Sequence, residues 1–213
     1  ALTQVSCSGG NNGTATVVVS GGTSPYTYSW NTSPVQTTAT ANNLTAGIWT
    51  CTITDANECT KLHTVTITEP AGPLATSISA QTNVNCFGGT TGSATISATA
   101  GTAPYSYVWN TTPAQNGPTA SNLNAGTWTC TVTDANGCTT ARNVTITQPS
   151  SALSSTVSAQ ANVNCFGGNT GSATLAITGG TAPYTFTWNT TPVQTSSTAT
   201  ALTGGTWTCT VTD

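Results

Sequence analysis

Charge is what this sequence has least of. Lys61 and Arg142 are its only strong bases, and Asp55, Glu58, Glu69, Asp134 and Asp213 are its only acids. Charged residues make up 3% of the chain, against roughly 25% in ordinary globular proteins. A surface without basic patches has nothing to hold phosphates, which excludes nucleic acid as a partner. No apolar run approaches the ~20 residues that a helix needs to cross a bilayer, so no membrane span is expected. Methionine is absent and no signal peptide is visible, which marks a processed protein or an internal piece of a longer one. His63 is the only histidine, and no CxxC pair occurs among the 8 cysteines. Their spacings match no metal motif, so neither a metal nor a cofactor is expected. Cysteines without a metal motif point instead to an oxidising compartment, and so to a secreted or cell-surface protein.

What is present is one unit written almost three times. Cys7, Cys86 and Cys165 recur at a constant spacing of 79 residues, and so do Cys51, Cys130 and Cys209. Trp30, Trp109 and Trp188 keep the same interval, as do Pro25, Pro104 and Pro183. That period is far longer than a solenoid turn and just long enough for a small domain. The expected domains are 1–70, 71–149 and 150–213. An unbroken period through every loop implies that unit length matters, as in a rod or fibre. The third unit stops at Asp213, which aligns with Asp55 and Asp134, so it lacks its turn cysteine and closing strand. A fragment of a longer array, or a strand donated by a neighbouring chain, would account for that.

Within one unit the periodicity is two. Ala15, Val17 and Val19 alternate with Thr14, Thr16 and Val18, and Ala94, Ile96 and Ala98 or Ala173, Leu175 and Ile177 take the same places later. Alternation of this kind predicts a half-buried strand. Tyr26, Tyr28 and Trp30 share one parity in a second strand and are expected to face the core. A Thr/Ala stretch reaching Leu44 reads as a weak or edge strand. Trp49, Cys51 and Ile53 point inward in the next strand. Asp55-Ala56-Asn57-Glu58, or Asp134 to Gly137 one unit later, is a hairpin connection. The closing strand buries Val65 and Ile67, with Val144 and Ile146 as counterparts. No helical periodicity occurs. Six or seven short strands with a core tryptophan predict an all-β protein of tandem immunoglobulin-like β-sandwich domains in an extended array. Trp30, Trp49, Trp109, Trp128, Trp188 and Trp207 all fall on core parity. The joins PAGPLATSISAQ and PSSALSSTVSAQ are short and β-rich, which predicts a stiff rod.

Catalytic chemistry finds little support. His63 aligns with Arg142, a substitution typical of an exposed strand end. Asp55 and Glu58 flank a turn, but Gly137 replaces the glutamate in the second unit, so no acid pair repeats. Hydrolysis needs a nucleophile with a base or a carboxylate pair, and calcium needs six to eight oxygens. The segments SGGNNG and CFGGTTG lack the lysine and helix of a phosphate loop and read as turns. No catalytic residue is assigned. Phe87 and Phe166 lie in such turns and align with Ser8, which suits contacts between neighbouring domains. Outward threonines solubilise the sheets without charge, yet an uncharged sheet edge offers little resistance to pairing. The expected partners are therefore neighbouring repeats of the same or identical chains, in a filament or bundle. Surface polysaccharide is a second class, should aromatic side chains prove exposed. Asn-x-Ser/Thr triplets occur at Asn12, Asn31, Asn43, Asn110, Asn143 and Asn189, and a threonine-rich chain produces many by chance.

The ordered strings NVNCFGGTTGSATI, GTAPYSYVWNTTP, LNAGTWTCTVTDANGC, and TVTITEP or NVTITQP resemble the SprB repeat, named after a large surface adhesin of gliding Bacteroidota. The resemblance runs along essentially the whole chain. It implies extracellular display in long arrays, delivery by the type IX secretion system, and a part in adhesion or gliding. Fold transfers more safely than role across such a family. The resemblance also implies pairing of the CFGG cysteine with the DANGC cysteine, as Cys7–Cys59 and Cys86–Cys138. Here a third cysteine occupies the inward position where the family tends to have valine, so Cys51 and Cys130 are rival partners. Cys7–Cys51 remains open on that account. A bridge closing about 50 residues adds about 4 kcal/mol in the chain-entropy model, a large share of the roughly 3–5 kcal/mol that a core this small supplies.

Overall fold

Threonine, valine and aromatic residues in alternation leave the backbone little choice but strand, and strand is what forms. The computed structural model describes residues 1–213 and contains no helix. The chain packs as two compact units, one of Ala1–Ser79, Ile96–Pro118 and Thr129–Asn143, the other of Ala80–Thr95, Thr119–Trp128 and Val144–Asp213.

In the first repeat the strands are β1 (Leu2–Thr3), β2 (Gly13–Thr16), β3 (Thr27–Trp30), β4 (Thr40–Leu44), β5 (Gly47–Thr54) and β6 (Thr60–Ile67). They form two three-stranded antiparallel sheets, ordered β1-β2-β4 and β3-β5-β6. The sheets face each other over Ala15 and Val17, Ala41 and Leu44 on one side, and Trp30, Cys51 and Ile67 on the other. This is the immunoglobulin-like sandwich in small form. β4 is indeed an edge strand, and β5 and β6 make an unbroken hairpin from Gly47↔Ile67 to Thr54↔Thr60. β2 is shorter than the alternation predicts, since it ends at Thr16, although Val17 is buried and Val18 exposed as the alternation requires.

The second repeat repeats the plan in β7 (Thr76–Thr82), β8 (Gly92–Ala98), β9 (Ser106–Trp109), β10 (Thr119–Leu123), β11 (Gly126–Thr133) and β12 (Thr139–Ile146), with sheets β10-β8-β7 and β12-β11-β9. The join after the first repeat supplies β7, so it is strand and not free linker. The third repeat has β13 (Ser154–Ala161), β14 (Gly171–Thr178), β15 (Thr185–Trp188), β16 (Thr198–Leu202) and β17 (Cys209–Thr212). Its sheets are β13-β14-β16 and the two-stranded β15-β17. Each repeat also carries two cis X-Pro bonds at matching positions, such as Ser24-Pro25 and Ser33-Pro34.

The six tryptophans divide into two classes. Trp30, Trp109 and Trp188 are buried, and their indole N–H groups donate to Thr38 O, Gly117 O and Ser196 O at 3.0, 3.1 and 2.9 Å. Trp49, Trp128 and Trp207 are half-buried and donate to Thr45 O, Asn124 O and Thr203 O. Each second-class ring therefore lies against its own turn, with a face towards solvent. Tyr26 and Tyr28 are likewise only half-buried, because the inward row rises out of the core towards the loop. Outside the core, threonine hydroxyls pair across the strands at 2.9 Å in all three repeats, as Thr16–Thr40, Thr95–Thr119 and Thr174–Thr198.

Candidate functional site

The unit that starts at Ala1 contains the end of the first repeat and the loops of the second that meet it. Its central chemical feature is a disulfide. Cys7 bonds to Cys138, with 5.7 Å between their Cα atoms, so the opening loop of one repeat is joined to the β11–β12 turn of the next. This corrects the expected pairings. Neither Cys7–Cys59 nor Cys86–Cys138 forms, and Cys59 and Cys86 carry exposed thiols. The rival Cys7–Cys51 does not form either, because Cys51 and Cys130 are buried as free thiols in strand interiors. Desolvation pushes both of those thiols above the ordinary value, which keeps them protonated and unreactive.

Short-range chemistry presents each bonding cysteine. In the opening loop Gly10 N donates to Cys7 O at 2.9 Å. A side chain on Gly10 would meet that same oxygen and Val5, so the tight turn demands glycine there. Gly9 N donates to the Glu69 carboxylate, tying the loop to the end of the closing strand. On the other side Asp134 Oδ1 accepts from Asn136 N and Cys138 N, both at 2.9 Å, and Oδ2 accepts from Thr102 N at 3.0 Å. Three amides on one carboxylate favour its charged form. The hydrogen bond from Thr102 contributes most, and the Asp134 pKa lies below the ordinary aspartate value. Asp55 does the same work in the first repeat with Thr23, Cys59 and Asn57. Leu74, from the join, is buried and flanks Gly101 together with the Asp134 carboxylate. Pro70, Pro73, Leu74 and the disulfide together line the seam.

No other place in the chain gathers reactive groups. No three of His, Cys, Asp and Glu lie close enough to hold a metal ion. His63 and Asp55 share a groove of ≈ 610 Å³ beside the first repeat with Lys61 and Tyr26, but both Asp55 oxygens are occupied by backbone amides. No base–nucleophile pair results. The triplet asparagines are mostly structural: Asn31, Asn110 and Asn189 accept from Thr50 N, Thr129 N and Thr208 N at 2.8 Å. Asn12 bonds Ser6 and Asn143 accepts from Thr129. Phe87 and Phe166 are exposed. No pattern within one period points to the inter-repeat bond; the odd count of three cysteines in each of the first two units is the sequence signal for a partner outside the unit.

Comparison with known proteins bears on the repeat itself. A family model described as SprB repeat matches residues 1–35, 78–113 and 157–192, together half of the chain. Among solved structures, the chain is similar to the three N-terminal domains of the bacteriophage RB49 Highly Immunogenic Outer Capsid protein (Hoc). The identity is 15%, the match covers 84% of this chain and 70% of that one, and the TM-score is 0.40. No curated protein matches.

Proposed function

This chain belongs to the SprB repeat family, and from that premise we propose that it is a structural segment of an extracellular bacterial surface protein, built as a stalk or filament that carries adhesion outward from the cell. The observation that carries this reading is the disulfide from Cys7 to Cys138. A bond between consecutive repeats limits how far the seam can open under pulling, which is of little use to an enzyme and of direct use to a tether. The near-absence of charge fits the same role, because uncharged threonine-lined sheets approach each other without repulsion. Secretion through the type IX route and a contribution to gliding accompany the reading as the family's habit.

Electron microscopy of the assembly on native cells tests it. Filaments of constant width with an axial repeat of one domain are the expected result for polymerised or bundled units. Isolated strings ending in a distinct tip would assign this segment to the stalk and move binding to the tip. Absence of the protein from the cell exterior would overturn the proposal. A polysaccharide-binding array would instead show retention on a polysaccharide column and a change in tryptophan emission. The buried indoles of Trp30, Trp109 and Trp188 predict neither, so any such change would have to come from the half-buried Trp49, Trp128 and Trp207.

A further inference from the structure

The seam that holds Cys7–Cys138 occurs a second time, with one cysteine in place. In the unit that ends at Asp213, Cys86 and Asp213 line one hollow of ≈ 580 Å³ with Val84, Pro149 and Pro183. Shifted by one period, Cys86, Pro149 and Asp213 are Cys7, Pro70 and Asp134, which line the corresponding hollow around the formed bond. The hydrogen bonds correspond as well. Gly89 N donates to Cys86 O at 2.9 Å, as Gly10 N does to Cys7 O, and Val84 N donates to Thr147 O as Val5 N does to Thr68 O. Gly88 N donates to Gln148 Oε1, in the place of Gly9 and Glu69. Thr181 N donates to Asp213 Oδ2 at 2.8 Å, matching Thr102 and Asp134. Leu153 and the Asp213 carboxylate flank Gly180 as Leu74 and Asp134 flank Gly101.

Every part of the first seam is thus rebuilt as far as Asp213. In the two complete turns the cysteine stands four residues after the aspartate, as Cys59 after Asp55 and Cys138 after Asp134. We propose that Cys86 is placed to make a second inter-repeat bond, to a turn cysteine standing four residues after Asp213. The general rule is that the opening-loop cysteine of each repeat bonds to the turn cysteine of the repeat after it. By the same rule, Cys59 is available to the opening cysteine of any repeat placed before this one. Formation breaks two S–H bonds and makes one Sγ–Sγ bond. The two protons go to solvent bases, and the two electrons reduce a disulfide-bearing oxidant to two thiols. This inference uses the tandem arrangement only, and its failure would leave the stalk reading intact.

The test extends the full chain after Asp213 with ANGCTTARNVTITQP, the residues that follow Asp134 in the second repeat. The protein is equilibrated with reduced and oxidised glutathione, free thiols are blocked, and disulfide-linked peptides are mapped by mass spectrometry. The expected result is a link from Cys86 to the appended cysteine, a mass lower by two hydrogens, and Cys165 alkylated. The Cys7–Cys138 link in the same sample reports that the chain has folded. A link from the appended cysteine to Cys165 would overturn the rule, because it restores pairing within one repeat. So would two alkylated thiols in a sample that retains Cys7–Cys138. In the Cys86→Ser variant the appended thiol should be recovered free; a link to Cys165 there, but not in the parent, would show Cys86 as the preferred partner.

Discussion

The octapeptide Thr-Trp-Thr-Cys-Thr-Val-Thr-Asp occurs twice, at residues 127–134 and 206–213, and it takes two different forms. In the second repeat all of it but Asp134 lies in the strand β11, with Cys130 and Val132 fully buried. In the third only Cys209–Thr212 is strand, and Cys209 and Val211 are half-buried. The intrinsic strand preference of the two copies is identical, so the difference comes from what lies alongside. β11 runs between β9 and β12, whereas β17 has β15 alone. The closing strand also supplies a core side chain. A methyl on Gly13 or Gly92 would strike Ile67 Cγ2 or Ile146 Cγ2 at 2.8 and 2.7 Å. In the third repeat that place is an open groove of ≈ 450 Å³ lined by Ala173, Leu175, Trp188, Leu202, Trp207 and Cys209. One hairpin strand separates a closed sandwich from an open one.

Closing the third repeat is the largest change that would erase this contrast. Appending the second repeat's closing strand after Asp213 buries one isoleucine and one valine, at about 1.5–3 kcal/mol each. The urea midpoint of the third repeat should rise and Trp207 emission should shift to shorter wavelength. Unchanged emission would mean that the strand does not seat.

Opening the second repeat is the converse. Ile146→Ala should cost about 2–5 kcal/mol, as expected for a fully buried isoleucine, and Ile67→Ala should cost the same in the first repeat. Thiol-exchange rates provide a second reading: Cys130 should begin to react in Ile146→Ala, at a rate approaching that expected of the half-buried Cys209 in the parent.

A contrast between the repeats' turns comes next. Cys138→Ser removes the bond to Cys7 and should destabilise the unit containing it by about 2–4 kcal/mol, whereas Cys59→Ser should leave stability unchanged. Equal effects of the two substitutions in urea melts would contradict the observed pairing.

Acid should separate the turns more gently. The amide of Thr102 above all holds Asp134 below the ordinary value of 3.8, and Thr23 does so for Asp55. A carboxyl depressed in the folded state stabilises fully above 3.8 and loses that contribution as the pH falls below it. Asp134 is buried while Asp55 is half-buried. Asp134→Asn should therefore flatten the acid limb of a pH–stability profile more than Asp55→Asn.

Much of the fold was legible in residue order. The alternation of Ala15 with Val17, and of Trp49, Cys51 and Ile53, placed strands correctly because period-two burial is a local property of the pleat. Trp49 and Tyr26 were less legible: parity shows the direction of a side chain, while depth depends on how far the opposite sheet extends over it. The end of β2 at Thr16 was hidden for a similar reason, since its partner β4 runs only from Thr40 to Leu44.

By itself the sequence determined the 79-residue period, the all-β character, the inward and outward faces, and the aspartate-capped turns that hold Cys59 and Cys138. These are local quantities, set by alternation and by hydrogen bonds spanning a few residues. Only the tertiary structure decided which cysteine meets which. Cys7 and Cys138 are 131 residues apart in the chain, and they become neighbours because the join after Pro70 becomes strand β7 and Leu74 seats beside Gly101. A bond across such a seam depends on how one repeat docks against the next, and no pattern within a single repeat encodes that.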